Sequence, residues 1–142
     1  MLNYYKSINN IKSLNKTGVI YLISEEKINE VVKRIVSNVN PEKIILFGSY
    51  AEGNPDDDSD LDILVVKEMD IPRYKRSRQI RKYLRGIKVP IDLLVYSQNE
   101  IDEWKDTKHS FISKVLENGR VLYGQETELV KEWLHNGWKT KR

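Results

Sequence analysis

The sequence predicts an α/β fold of the α+β kind, a small mixed β-sheet with helices packed on its faces. Two observations lead there. The runs KIILFGS, LDILVV and VPIDLLVYS are continuously or nearly continuously apolar yet too short for helices, as expected of strands covered on both faces. They alternate with segments whose apolar residues recur at helical spacing, and that order of helix, strand, strand, helix, strand, helices is met by a mixed sheet. A chain of 142 residues, 39% hydrophobic and 32% charged, fits one domain and buries a core without staples.

The elements follow in order. Residues 1–23 contain no acid and are rich in Asn, Lys and Tyr, so they read as an N-terminal appendage to a domain of residues 24–142, with TGVIYLI offering a short strand. Ser24 is placed to cap a helix in which Ile28, Val31, Val32, Ile35, Val36 and Val39 share a face, and Pro41 ends it. The strands KIILFGS and LDILVV come next. From Ile71 to Ile87 the period is helical again: Ile80, Tyr83, Leu84 and Ile87 form one face, and Lys75, Arg78, Arg81, Lys82 and Arg85 the other. After the strand VPIDLLVYS, NEIDEWK and HSFISKVLEN read as helices, VLY as a short edge strand, and ETELVKEWLHN as a closing helix capped by Asn136-Gly137.

Composition narrows the chemistry. With no cysteine there is no disulfide, thiolate zinc site or cysteine nucleophile, so a metal has to be held by oxygen or by the two histidines. Oxygen donors favour Mg²⁺, Mn²⁺ or Ca²⁺. The net charge of +3 does not by itself announce a nucleic-acid binder. No segment approaches the roughly 20 apolar residues of a membrane span, and the N-terminus lacks the core of a signal peptide, so a cytoplasmic location is the default.

The most informative stretch is IILFGSYAEGNPDDDSDLDILVV, Ile44 to Val66. Between its two apolar runs stand Asp56, Asp57, Asp58, Asp60 and Asp62. Like charges this close raise one another's pKa unless a cation joins them. Asp60 and Asp62 are two apart at the start of a strand and point to one face. Asp92 interrupts the apolar strand from Ile91 to Tyr96, where an unpaired carboxylate is costly. If those strands are neighbours, three carboxylates converge, a ligand set for two Mg²⁺ ions about 3.5 to 4 Å apart, with Mn²⁺ as the alternative ion. Gly48 and Ser49 offer backbone N–H groups and a hydroxyl to phosphate without side-chain bulk.

Rival motifs fail on spacing. An EF-hand begun at Asp56 or Asp58 puts Leu61 or Ile63 where the turn glycine belongs, and Lys67 or Met69 where the bidentate glutamate belongs. Gly48 and Gly53 match the ends of a Walker loop, but Asn54-Pro55 follows in place of Lys-Ser/Thr. Blander readings hold elsewhere. Asp56, Asp57 and Asp58 fit a solvated turn, the basic face from Lys75 to Lys88 a solvated helix side, His109 and His135 helix termini, and Trp104, Trp133 and Trp138 packing anchors.

Gly48-Ser49, ten residues, then Asp60-Leu61-Asp62 resembles the GSx10DxD signature of the DNA polymerase β-like nucleotidyltransferase superfamily, and the chain is most similar to its minimal nucleotidyltransferases from about Glu25 to Gly124. The resemblance implies the polymerase β-like nucleotidyltransferase fold. It also implies that Gly48 and Ser49 hold the triphosphate of ATP or another NTP, that Asp60 and Asp62 bind both metals, and that Asp92 binds the catalytic metal and helps activate the attacking hydroxyl. Many relatives carry an arginine in the GSxAxG turn, where this chain has Tyr50 and Glu52. The expected reaction moves a nucleoside monophosphate, AMP first among them, to a hydroxyl and releases pyrophosphate.

In its family such proteins are often antitoxins paired with a small helical HEPN toxin, which they adenylylate on a tyrosine. A HEPN-domain protein is therefore the expected partner, in a toxin–antitoxin system. A homo-oligomer and nucleic-acid binding stay open, and no membrane is expected. Two alternatives stand beside this reading: an antitoxin acting only by stoichiometric binding, and transfer to a small molecule such as an aminoglycoside.

Overall fold

The structure, a computed structural model, describes residues 22–124. Helix α1 (Glu25–Val39) starts where expected, with the Ser24 hydroxyl accepting the Lys27 N–H. It stops at Asn40, which adopts the left-handed conformation that asparagine tolerates at helix ends. Strand β1 (Lys43–Phe47) runs straight into a short helix, α2 (Gly48–Glu52), where a plain turn is expected from the sequence. Then come β2 (Leu61–Val66), α3 (Arg73–Arg81) with a 3₁₀ turn at Lys82–Leu84, β3 (Ile91–Tyr96), α4 (Gln98–Trp104), α5 (Phe111–Asn118) and β4 (Arg120–Tyr123).

The sheet is mixed, in the order β3-β2-β1-β4. Strand β1 pairs antiparallel with β2 and β4, while β2 and β3 are parallel. A parallel pair needs a long crossover, and α3 provides it. Alternation along the strands divides their side chains between two cores. On one face Ile44, Leu46, Ile63, Val65, Leu93 and Val95 pack against α1, α2 and α3; on the other Ile45, Leu64, Val66 and Val121 pack against α4 and α5. The layers are thus helices, sheet, helices.

Two expectations need correcting. The helix predicted from Ile71 to Ile87 ends at Arg81, tightens to a 3₁₀ turn, and breaks before Gly86, which has positive φ. The expected basic face of Lys75, Arg78, Arg81, Lys82 and Arg85 is exposed throughout, but two arginines of this helix also have structural work. Arg76 turns inward, donating to the carbonyls of Ile71 and Val95 and pairing with Glu100, and Arg81 Nη1 donates to the Ile91 carbonyl at 3.1 Å. Two guanidinium groups thereby cover outward carbonyls of the edge strand β3, a job that periodicity does not reveal. Arg81 makes this contact while staying exposed, as Lys75, Arg78, Lys82 and Arg85 do. Trp104, expected as a packing anchor, is 45% exposed.

Leu22 and Ile23 belong to no strand, although Ile23 is packed into the core and its N–H donates to the Tyr50 hydroxyl at 3.1 Å. The rest of the TGVIYLI strand, and the closing helix with Trp133, His135, Asn136-Gly137 and Trp138, lie outside the described residues. No helix among the described residues is long and apolar enough to cross a membrane.

Candidate active site

The parallel pairing of β2 and β3 runs from Leu61 beside Ile91 to Val66 beside Tyr96, which sets Asp62 beside Asp92. Neighbouring strands lie about 4.8 Å apart, and residues in register share a face. That face is the one covered farther along by α4 and α5, because Leu64, Leu94 and Tyr96 have the same parity and pack there. Asp60 stands two residues before Asp62, just ahead of the strand, and Leu61 N–H donates to the Pro90 carbonyl at 2.9 Å, closing the two chains together at this end.

The register brings Asp62 beside Asp92, and both Asp92 and Asp60 act on the Asp62 carboxyl, but the three do not bring their oxygens within 4.8 Å of one another, as Asp56, Asp57 and Asp58 do among the described residues. The Asp62 carboxyl is pushed up to about 6, first by burial, then by Asp92 and then by Asp60. None of the ion pairs among the described residues involves Asp60, Asp62 or Asp92. Hard oxygen donors outside any ion pair of the described residues suit a divalent cation, which would offset the burial and the repulsion that raise Asp62.

The Gly-Ser turn is held against Asp62. Phe47 is the register partner of Asp62 on β1, so the next residue, Gly48, comes to the end of β2. Gly48 has φ +73°, and a Cβ built on it would overlap Asp62 Oδ2. Only glycine satisfies both constraints. Behind it, α2 is fixed at its far end: Gly53 adopts a left-handed cap, and Arg120 Nε on β4 donates to the Ala51 carbonyl at 2.9 Å. Sequence reasoning missed Arg120, and no local signal could have found it, since it lies 69 residues from its acceptor.

The two variable positions of the turn, Tyr50 and Glu52, are used differently. Tyr50 is buried against the α1 core with its hydroxyl on Ile23, and Glu52 is exposed. Neither supplies a positive charge here.

Asp56, Asp57 and Asp58 form a separate group. Their carboxylate oxygens lie within 4.8 Å of one another, but all three residues are exposed. Asp56 is spent on the turn itself, accepting the Asp58 N–H at 2.9 Å and the Ser59 hydroxyl at 3.1 Å. This is the solvated turn expected of them. His109 precedes the Ser110 cap of α5 in a positive-φ conformation, exposed and far along the chain from the acids.

The family model for polymerase beta nucleotidyltransferases matches residues 26–128, which spans both strands, the Gly-Ser turn and all three acids. The chain belongs to the polymerase beta nucleotidyltransferase family. This nucleotidyltransferase is similar, with 39% identity over 104 residues, to a Methanocaldococcus jannaschii protein named "putative protein adenylyltransferase", an alignment covering 71% of this chain and 100% of that one. Its fold resembles that of a Sulfolobus solfataricus protein described as a "putative nucleotidyltransferase", with TM-score 0.52 and 24% identity over 72% of this chain and 81% of that one. A chain of a toxin–antitoxin complex solved with AMP-PNP is similar in fold too, with TM-score 0.50 and 22% identity over 80% of this chain and 90% of that one.

Proposed function

We propose that this nucleotidyltransferase moves AMP from ATP to a hydroxyl of a partner protein, with Asp60, Asp62 and Asp92 as its catalytic carboxylates and metal ligands and Gly48 and Ser49 as its triphosphate turn. The observation that carries the reading is the in-register pairing of Asp62 with Asp92, with Gly48 pressed against Asp62 and none of the ion pairs among the described residues involving Asp60, Asp62 or Asp92. A scaffold gains nothing from uncompensated like charges, whereas a site for cations and a polyphosphate requires them.

The residues divide the work. Asp60 and Asp62 would hold two Mg²⁺ ions, which when bound neutralise the phosphates and favour the ionised acceptor oxygen. Gly48, lacking a Cβ, lets the turn close against Asp62, so that the backbone N–H groups of the turn and the Ser49 hydroxyl would meet the triphosphate beside the acids. Asp92, on the edge strand and exposed, faces the side from which an acceptor can arrive. In the transfer the acceptor oxygen bonds to the α-phosphorus, the α–β anhydride bond breaks, pyrophosphate leaves, and the hydroxyl proton passes to Asp92.

A protein acceptor is favoured by the 39% identical relative, which is named for protein adenylylation and matched over its whole length. A HEPN-type toxin is the partner that the minimal nucleotidyltransferase pattern suggests, consistent with the fold shared with a toxin–antitoxin chain. The test is transfer from labelled ATP, in Mg²⁺, to a co-expressed HEPN protein. Label at the α-phosphorus should appear on the acceptor, and label at the γ-phosphorus should not. Transfer of γ-label, or undiminished transfer in excess EDTA, would overturn the reading.

A further inference from the structure

Phe111 is 41% exposed at the start of α5, unlike Ile112, Val115 and Leu116 of the same helix, which are buried. A lone exposed phenylalanine needs no explanation, but the place of this one does. Its ring meets Phe47 edge-on, with centroids 5.4 Å apart and planes at 84°, and meets Tyr96 at 6.2 Å and 34°. Phe47 is the residue immediately before Gly48 and the register partner of Asp62; Tyr96 has the parity of Asp92 on β3. The two anchoring rings and the carboxylates thus share one face of the sheet. Helix α2, which carries the Gly-Ser turn, also packs on α5. Phe111 rests between Phe47, in the row of Asp62 and Asp92, and Tyr96, at the other end of β3, with part of its surface open on the sheet face that carries the acids.

We infer that Phe111, braced by Phe47, is the wall on which the base of the nucleoside triphosphate stacks. This rests on the assignment of the triphosphate to Gly48-Ser49 and the acids. With the phosphates there, the base has to lie a nucleoside's length away, and on this face the aromatic rim is the surface suited to a flat heteroaromatic ring. Stacking on a phenylalanine recognises the π-face common to all bases, so this wall contributes affinity for a nucleotide over a bare polyphosphate without selecting adenine.

The experiment compares binding of ATP and of inorganic tripolyphosphate, each with Mg²⁺, by calorimetry on the full chain. Phe111→Ala should weaken ATP on the order of ten-fold and leave tripolyphosphate unchanged. Phe111→Leu, which keeps apolar packing on Phe47, should show the same selective loss with an unaltered thermal melt, separating stacking from folding. Phe111→Trp should retain ATP binding and add a fluorescence signal, above that of the native tryptophans, that ATP quenches and tripolyphosphate does not.

Equal effects on both ligands, or none on either, in the Ala and Leu variants would overturn the base wall. So would normal ATP binding joined to a raised KM for the acceptor, which would assign the ring to the partner. Failure of the underlying site has a different signature: Gly48→Val would then leave both ligands bound as before.

Discussion

The two ends of the parallel pair β2 and β3 treat charge in opposite ways. At the C-terminal end Glu100 sits in a capping box with Ser97, and Arg76 and Arg73 both reach its carboxylate. Burial alone would raise Glu100, but the Ser97 N–H, the Arg76 guanidinium and the Ser97 hydroxyl outweigh it and hold the carboxyl below its ordinary value. At the N-terminal end Asp62 lies beside Asp92 with Asp60 two residues before it, none of the three is in an ion pair among the described residues, and Asp62 is pushed up to about 6. The same two strands carry a finished ion network at one end and an unfinished one at the other. The finished end fixes α3 and α4 to the sheet; a carboxyl raised by burial and by like charges, as at the unfinished end, is the kind of group that marks a candidate site.

The largest expected effect breaks the unfinished end. Asp62→Asn should reduce nucleotide transfer to background, because it removes a ligand from the centre of the three acids while keeping the shape of the side chain. Turnover with α-labelled ATP measures it, and substantial activity in that variant would mean that the acids do not act together. Gly48→Ala tests the other half of the same contact. Its Cβ has no room beside Asp62 Oδ2 and its φ is unfavourable for an L side chain, so both activity and thermal stability should fall.

The unfinished end was the more legible of the two from sequence. Carboxylates in apolar strands break a simple pattern, and the period of two in a strand told which of them share a face. What sequence left conditional was adjacency: Asp92 joins Asp62 only because β3 lies beside β2 and in register with it, a matter of crossover and packing. The finished end was nearly invisible. Helical periodicity put Arg81 on a solvated face and said nothing of Arg76, yet both are used by the edge carbonyls of β3. A long side chain with several donors finds acceptors that only the tertiary structure brings near. Arg120 on Ala51 and the exposure of Trp104 escaped for the same reason, since each depends on which elements become neighbours.

Breaking the finished end should cost stability and spare the chemistry. Arg76→Met keeps the stem but removes the donors to Ile71, Val95 and Glu100, leaving a carboxylate short of its main partner and two carbonyls with one donor fewer. Because Arg76 is well buried and Glu100 only partly, a loss of roughly 2 kcal/mol is expected in chemical denaturation. The KM for ATP should stay near that of the parent, since the network lies at the opposite end of β3 from Asp92. A large change in ATP affinity with unaltered stability would show the two ends to be coupled.

The smallest effect is also the sharpest contrast, because the two ends should respond to pH with opposite signs. Asp62 is raised in the folded state above its ordinary 3.8, so the folded chain binds the proton more tightly than the unfolded one. Stability of the metal-free protein should then fall as pH rises from about 4 to about 6 and level off above. Asp62→Asn removes that slope: the variant should match the parent near pH 4 and exceed it above pH 6, on the order of 1 kcal/mol once solvent screening is allowed for. Glu100 is held below its ordinary 4.5, so its contribution is present above that pH and is lost as pH falls through its folded value. Glu100→Gln should therefore cost most at neutral pH and progressively less in acid. Added Mg²⁺ should raise the midpoint of the parent, and raise that of Asp62→Asn less, because the cation completes the end that the chain leaves open. Urea midpoints for the parent and the two variants between pH 3 and pH 8, with and without Mg²⁺, decide it, and parallel curves for the two variants would erase the distinction between the ends.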